Sequence, residues 1–312
     1  MGTQTLHITN GSNLTDYLKE LEYTGRFLTW QEMLCEGPTT EEVDSEEFFI
    51  LRKTFLSDFY EIEMNEAEFK KELDILNHTD QFQQIVLWFE YDLFCHINLM
   101  AIISMLNHKK IQLPLYLVCS GRVKGENDLK GLAELKPDQL HQHYENKITL
   151  SGEDRNLMSA LWRIYCGKDH NLFKPYIVQK SSFPYLASCL KAHLQRFPDS
   201  ITGLSTLEMH ALHMISDQRI KSRRHLLGYI LNFQGYYGFG DLQINKMIDT
   251  LSIFYTEEND QIILNRKGHE AINKQHNFSD ELMTSMYFGG VKKMDFQFSK
   301  VQNKLIKTIK CL

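Results

Sequence analysis

The spacing of apolar residues changes character along this chain, and each change predicts a different kind of element. Over roughly the first 120 residues, short apolar runs alternate with stretches of helical period. Leu6-His7-Ile8-Thr9 predicts a strand, Asn10-Gly11-Ser12 a tight turn, and residues 13–22 a helix capped by Ser12 or Asn13. Residues 26–30 predict a second strand, and Gly37-Pro38 breaks the chain. Ser45 caps a predicted helix over 46–59, whose apolar face draws on Phe48, Phe49, Leu51, Phe55 and Leu56. A further helix is expected over 66–76. Residues 85–89 are apolar at every position, the pattern of a strand covered on both faces in a parallel sheet. A helix over 93–106 follows, and residues 115–119 predict a fourth strand ended by Ser120-Gly121.

Strands alternating with helices imply βαβ units with right-handed crossovers. The fold class expected is therefore α/β, with a Rossmann-like parallel sheet over 1–135. The pattern over 136–200 reads as purely helical: Pro137-Asp138 opens one helix, a capping box at Ser151 and Asp154 opens another, and Pro184 starts a third that runs to Gln195. Residues 197–203 have the composition of a linker. Residues 201–312 predict helices over 206–216, 222–233 and 241–250. Strands over 252–256 and 261–264 follow, joined by Glu257-Glu258-Asn259-Asp260. Three helices and a hairpin is the order of a winged helix, and three short helices also occur in plain bundles. Lys300, Lys304, Lys307 and Lys310 recur at helical spacing and predict a basic helical tail.

Composition narrows this picture only a little. A chain of 312 residues suits two domains or three small ones, and 43% hydrophobic with 24% charged residues excludes a disordered chain. No apolar run reaches the ~18 residues of a membrane span, and the first residues lack a signal-peptide pattern, so a cytoplasmic protein with no membrane partner is expected. Six scattered cysteines form no CxxC pair, which argues against a zinc ribbon or a redox motif and for free, mostly buried thiols. The net charge of −6 comes from the first 200 residues, while the remainder is mildly basic. Lys221, Arg223 and Arg224 cluster at a helix start, so DNA is a candidate partner of the C-terminal part. The would-be recognition helix carries Lys246 against Asp241 and Asp249, which makes a protein partner at least as good a fit.

The candidate chemistry lies at the strand ends. Ligands of an open parallel sheet bind beyond the carboxyl ends of its strands. There the sequence supplies Asn10, Gly11 and Ser12, then Glu32, then Glu90, Asp92 and His96, then Ser120 and Gly121. Glu90, Asp92 and His96 are spaced to hold a divalent cation such as Mg²⁺ or Mn²⁺, or to divide acid and base roles. The same residues fit a purely structural reading, in which Asp92 caps the next helix and Glu90 pairs with an arginine such as Arg52. Asn10-Gly11-Ser12 fits an anion cradle, with Ser120-Gly121 as a second turn, although a lone glycine also makes an ordinary tight turn. His7 and Trp30 fit the core. The loop Gly235-Tyr236-Tyr237-Gly238-Phe239-Gly240-Asp241 reads as a connector or as a lid over a site. No GxSxG motif supports nucleophilic catalysis.

Several of these stretches together resemble an uncharacterised bacterial family, domain of unknown function 1835 with its companion C-terminal domain. The resemblance rests on His7-Ile8-Thr9-Asn10-Gly11, on Trp30, Glu32 and Leu34 followed by Gly37-Pro38, and on Leu87-Trp88-Phe89-Glu90-Tyr91-Asp92-Leu93-Phe94 with Asn98-Leu99. Gly203-Leu204, Gly240-Asp241, Gly268 and Gly289-Gly290 extend it over most of the chain. Ser12 stands where the family has Asp, Glu32 where it has Asp and His96 where it has Gln. The resemblance implies one recurring set of strand-end polar residues and no particular reaction. The expectation is an α/β enzyme or binding protein for a phosphorylated or nucleotide-like small molecule, with Glu90, Asp92, His96 and Glu32 as its chemical groups. The rival expectation is a regulatory or adaptor protein that contacts DNA or a protein through its C-terminal part.

Overall fold

The computed structural model describes residues 4–308 apart from 124, 127 and 259, so Asn259, Lys310 and Cys311 lie outside the described residues. In chain order the first elements are β1 (Thr5–Asn10), α1 (Ser12–Glu20), β2 (Arg26–Trp30), α2 (Glu46–Tyr60), α3 (Glu66–Leu73), β3 (Gln84–Trp88), α4 (Leu93–His108) and β4 (Leu115–Val118). A small hairpin of β5 (Gly121–Arg122) and β6 (Leu129–Lys130) follows, then α5 (Pro137–Glu145), β7 (Ile148–Leu150), α6 (Gly152–Cys166), α7 (Lys174–Val178) and α8 (Leu186–Gln195). The last part holds α9 (Thr206–Asp217), α10 (Arg223–Phe233), α11 (Asp241–Thr250), β8 (Tyr255–Glu258), β9 (Gln261–Leu264) and α12 (Arg266–Ile272). It ends with β10 (Tyr287–Phe288), β11 (Val291–Lys292), β12 (Phe296–Ser299) and β13 (Lys304–Lys307).

The main sheet has the order β2-β1-β3-β4-β7. Its first four strands are parallel, with Ile8 opposite Leu28 and Leu87 and Leu87 opposite Leu117. Alternation along β3 explains its unbroken apolar sequence. Ile85 and Leu87 enter the larger core, while Val86 and Trp88 enter a smaller one with Leu14 and Leu18 of α1 and Leu140 of α5. His7 projects to that second side, where it accepts a bond from Trp88 Nε1 at 3.0 Å and donates from Nε2 to the Thr24 carbonyl at 3.2 Å. It is a core residue, as is Trp30.

Three expectations about the chain's organisation are corrected. The segment 136–200 is not purely helical: β7 pairs antiparallel with β4 and forms the fifth strand of the sheet. Three residues are too few to display a period, so that strand exists by virtue of its neighbour. Residues 197–203 are no loose linker. Phe197 and Thr202 are buried, and Pro198, Asp199 and Ser200 exchange backbone bonds with Leu204 and Phe298. The tail lysines do not line a helix, because Lys304 and Lys307 lie in β13, paired antiparallel with β12. Phe298 and Leu305 are drawn into the core there, so burial of alternate apolar residues overrides the spacing of the lysines. One contiguous core runs from Leu6 to Leu305 and takes in all three segments of the sequence.

The helix start after β1 also shifts slightly. Gly11, not Ser12 or Asn13, occupies the N-cap position, with φ 96°, a conformation that glycine adopts freely. In the last part, residues 251–254 form a 3-10 turn, and the strand expected there begins at Tyr255.

Candidate functional site

In the order β2-β1-β3-β4 the chain moves outward from β1 in one direction and from β3 in the other. The gap beyond the carboxyl ends of β1 and β3 is therefore the topological switch point of the sheet. Asn10 ends β1, and Glu90 and Asp92 follow β3. The backbone thus brings the predicted residues at the ends of β1 and β3 to one place.

Asp92 is the N-cap of α4, and its Oδ1 accepts from the Cys95 amide at 2.7 Å. A cap does this in any helix, so the bond alone is structural. The surroundings are less ordinary. Asp92 is 5% exposed, and burial raises its carboxyl to about 6, against the opposing pull of the Cys95 amide. Glu90, partly buried, is raised to about 7, chiefly by burial and next by the charge of Asp92. The Leu132 amide donates to Glu90 Oε1 at 2.6 Å and opposes that shift. No ion pair joins either carboxyl to a basic side chain among the described residues, and none of the leading causes of either shift is a basic group. Two crowded carboxyls without a cation hold protons to unusually high pH.

Cys95 completes the cluster. Ligating atoms of Glu90, Asp92 and Cys95 all lie within 4.8 Å of one another, and His96 is not among them. The expected Glu90–Asp92–His96 set is corrected to this extent. One residue along a helix turns the side chain by about 100°, and the His96 ring folds back so that Nδ1 donates to the Asp92 carbonyl at 2.8 Å. Burial lowers His96 to about 4, so the ring is neutral, and its Nε2 is buried with no hydrogen-bond partner. Cys95 is no activated nucleophile. Burial pushes its thiol up, and the adjacent carboxyls push it further.

A line of amides ties this cluster to β2. Asn98 Nδ2 donates to Asn10 Oδ1 at 2.8 Å and to the Glu32 carbonyl at 2.6 Å, while Asn98 Oδ1 accepts from the Leu34 amide at 3.2 Å. Asn10 Nδ2 in turn donates to Cys95 Sγ at 3.1 Å. The strand ends are thus fixed relative to one another by polar side chains with little freedom.

Glu32 belongs to a different arrangement. Its carboxylate takes Arg52 Nη2 at 2.8 Å and Nε at 3.1 Å, and both side chains are fully buried. Arg52 also donates to the carbonyls of Glu36, Pro38 and Met33. The arginine that the structural reading assigned to Glu90 is therefore committed to Glu32, and Glu90 pairs with no arginine or lysine among the described residues.

At the neighbouring strand end, Ser120 Oγ is buried without a partner, and Gly121 (φ 147°) lies under the Tyr185 ring. Tyr185 Oη accepts from the Arg122 amide at 2.8 Å. The turn after β1 is open: a methyl added at Gly11 would meet nothing within 4 Å, and Ser12 is exposed. Ser12 borders a groove of mostly acidic character, with Asp16, Glu63, Glu68 and Glu72 against Lys19. An unaccompanied anion is poorly matched to that groove.

Remote segments close the site. A Cβ at Gly131 would stand 2.8 Å from Glu90 Oε1, and a Cβ at Gly238 would overlap the Asp92 carboxyl. Gly238 lies in the glycine- and tyrosine-rich loop before α11. Leu93 and Phe94 donate their amides to the Tyr236 and Tyr237 carbonyls at 2.8 and 3.2 Å, so this loop lies across the N-terminus of α4. The lid reading of that loop agrees with these contacts. Sequence reasoning missed Cys95, Gly131, Leu132 and Tyr185. Only the loop's unusual composition pointed to Gly238.

Comparison with known proteins adds little. No family model and no curated protein matches the chain. A crystal structure of the Plasmodium falciparum topoisomerase II DNA-binding, cleavage and re-ligation domain aligns at TM-score 0.48 and 14% identity, covering 82% of this chain and 43% of that one. The chain therefore spans less than half the length of that neighbour.

Proposed function

We propose that this chain is a cytoplasmic α/β enzyme or binding protein for a phosphorylated or nucleotide-like small molecule, and that the ligand enters together with a divalent cation. The observation that carries this reading is the Glu90–Asp92 pair at the switch point, crowded and without a basic partner among the described residues. A divalent ion such as Mg²⁺ or Mn²⁺ would offset both the desolvation and the mutual repulsion of these carboxyls. Cys95 would favour the softer ions of that group, on release of its proton. The open Gly11–Ser12 turn, at the positive end of α1, supports a bound phosphate. With the cation absent, Glu90 and Asp92 near neutrality form an acid and base pair. We read the N-terminal part as Rossmann-like and the chain as a member of the bacterial family it resembles.

The test is thermal melting of wild type, Glu90→Gln and Asp92→Asn with Mg²⁺ or Mn²⁺, alone and with ATP or glucose 6-phosphate. Asparagine keeps the helix cap, so loss of response in that variant is separable from loss of fold. A rise of several degrees in wild type that is absent in both variants supports the reading. Equal melting of all three proteins under every condition sinks it.

A second reading is favoured by one feature, the order of three helices and a hairpin from α9 to β9, which is that of a winged helix. On that reading the C-terminal part contacts DNA or a protein. Arg223 is engaged with Asp249 of α11, which weakens the DNA version. Binding of the full chain to duplex DNA at 50 mM salt, weakening steeply as salt rises, would establish it.

A further inference from the structure

Away from the carboxyl pair, two histidines and an arginine are buried together: His170 in the 3-10 turn before α7, His193 of α8, and Arg196 just after α8. Their hydrogen bonds run in one direction. Arg196 Nε and Nη2 can only donate, and both point at His193 Nδ1, at 3.1 and 2.8 Å. His193 Nδ1 is therefore an unprotonated acceptor. The ring carries its proton on Nε2, which donates to His170 Nδ1 at 2.8 Å. His170 in turn donates from Nε2 to the Tyr165 carbonyl at 2.9 Å. All four ring nitrogens are engaged, and the chain of bonds is complete only while both rings are neutral. A proton added at His193 Nδ1 would face the guanidinium donors, and one added at His170 Nδ1 would face the Nε2 proton of His193.

The surroundings add no acid that would welcome such a proton. Burial lowers His170 to about 4, and burial, then Arg196, then His170, lower His193. Exposed Asp169 is the one acid among the leading influences on either ring, and the weakest of those acting on His170. Tyr165 stacks on His170, and Phe173, Phe197 and Phe288 supply apolar walls. Cys35, Glu36 and Arg52 stand one layer out, where their charges act on Cys35 and Tyr165. The trio also sits at a joint. Tyr165 Oη donates to the Leu34 carbonyl at 2.8 Å, and Arg196 Nη1 donates to the Cys35 carbonyl, so both hold the loop after β2. On the other side, the Arg196 guanidinium lies 3.8 Å from the ring centre of Phe288 in β10, and the Gly290 amide donates to the Tyr165 carbonyl at 2.9 Å. Gly37 of the loop exchanges backbone bonds with Tyr287 and Gly289. The same loop gives the Leu34 amide to Asn98, which holds Asn10 at the strand ends.

We propose that His170 and His193 form an acid-released latch that fastens the loop after β2 and the β10–β11 hairpin to α6 and α8. Protonation of either ring breaks one bond of the chain and sets a second cation beside the buried Arg196 guanidinium. The latch then opens, and the loop that presents Leu34 to Asn98 loses its backing. This device works whether or not a cation occupies Glu90 and Asp92. Above pH 6.5 both rings are neutral in the open and the closed state, and pH has no effect through them. Below 6.5 the open state takes up protons that the closed state refuses. Closure therefore weakens as pH falls, by about tenfold per pH unit for each ring.

Hydrogen exchange of the full chain, followed by NMR and corrected for intrinsic rates, reads the opening directly. Between about pH 6 and pH 5 the protection of the Leu34 and Gly290 amides should fall about 100-fold, while that of Ile8 and Leu87 in the sheet changes far less. In His170→Gln/His193→Gln each glutamine still accepts and donates but takes no proton, so the fall should shrink to less than about threefold. A second readout needs no variant: the ring nitrogen shifts of wild type at neutral pH should show both imidazoles neutral, with the proton on Nε2. A proton on Nδ1 of either ring overturns the proposal. So does unchanged protection between the two pH values, a fall shared equally by the sheet amides, or a fall of the same size in the double variant.

Discussion

Two buried carboxylate sites lie a few residues from strand ends of the same sheet and have opposite surroundings. Glu32 is met by the guanidinium of Arg52, whose remaining donors satisfy three loop carbonyls. Glu90 and Asp92 are met by backbone amides and by each other. The first arrangement is complete in the protein alone and acts as a fastening for the loop after β2. The second is electrostatically incomplete and gains most from something brought in from outside. Burial of an acid is therefore no guide to function until its cation has been found.

The sharpest way to break this comparison is to remove the cation from the complete site. Arg52→Ala leaves Glu32 buried and unpaired, and should cost about 3–5 kcal/mol in denaturant unfolding. A loss below about 1 kcal/mol would mean that Glu32 is no more fastened than Glu90. Next in size is closure of the incomplete site. Gly238→Ala asks a non-glycine residue to hold φ 69° with its methyl against the Asp92 carboxyl, and should cost about 2–4 kcal/mol. Much of that loss should disappear in an Asp92→Ser background, which keeps the cap and vacates the space. Additivity of the two changes would show that the lid does not rest on Asp92 in solution.

The pH dependence of stability separates the two sites more finely. Glu90 has a folded pKa of about 7 against an ordinary value of 4.5. Below pH 4.5 the group is protonated in both states and contributes nothing. Between 4.5 and 7 the unfolded chain gives up its proton first, so stability falls as pH rises, and above 7 the loss is complete. Asp92 acts in the same direction between 3.8 and about 6. Glu90→Gln should therefore stabilise the protein by on the order of 1–2 kcal/mol at pH 8, and by little at pH 4.5. An identical dependence in wild type and variant would contradict the crowded-acid picture. The smallest effect is expected at the exposed Arg223–Asp249 pair, where Arg223→Ala should change stability by less than about 0.5 kcal/mol.

Much of the sheet was legible because its rules are local. The unbroken apolar run of β3 has the pattern of a strand covered on both faces. Ser45, Ser151 and Ser205 announce helix starts through bonds to residues three positions ahead. Asp92 at the end of that strand was legible both as a cap and as a strand-end acid, and it is both. By contrast, β7 has no period of its own, and the tail lysines carried a helical spacing that the pairing of β12 with β13 overrode. The choice of Cys95 over His96 rests on a single step of helical rotation, combined with the fold of a ring onto the preceding carbonyl.

By itself, then, the sequence determined which segments are strands and helices over most of the chain, and that Asn10, Glu90 and Asp92 lie at strand ends. Periodicity and capping act over a few residues, so they can be read without knowing the fold. Tertiary structure alone decided that Arg52 serves Glu32 and not Glu90, and that Gly131 and Gly238 close over the Glu90 and Asp92 carboxyls. Those are contacts between residues from 20 to more than 140 positions apart. Their energies depend on which charges and donors burial leaves near one another, and no local pattern records that.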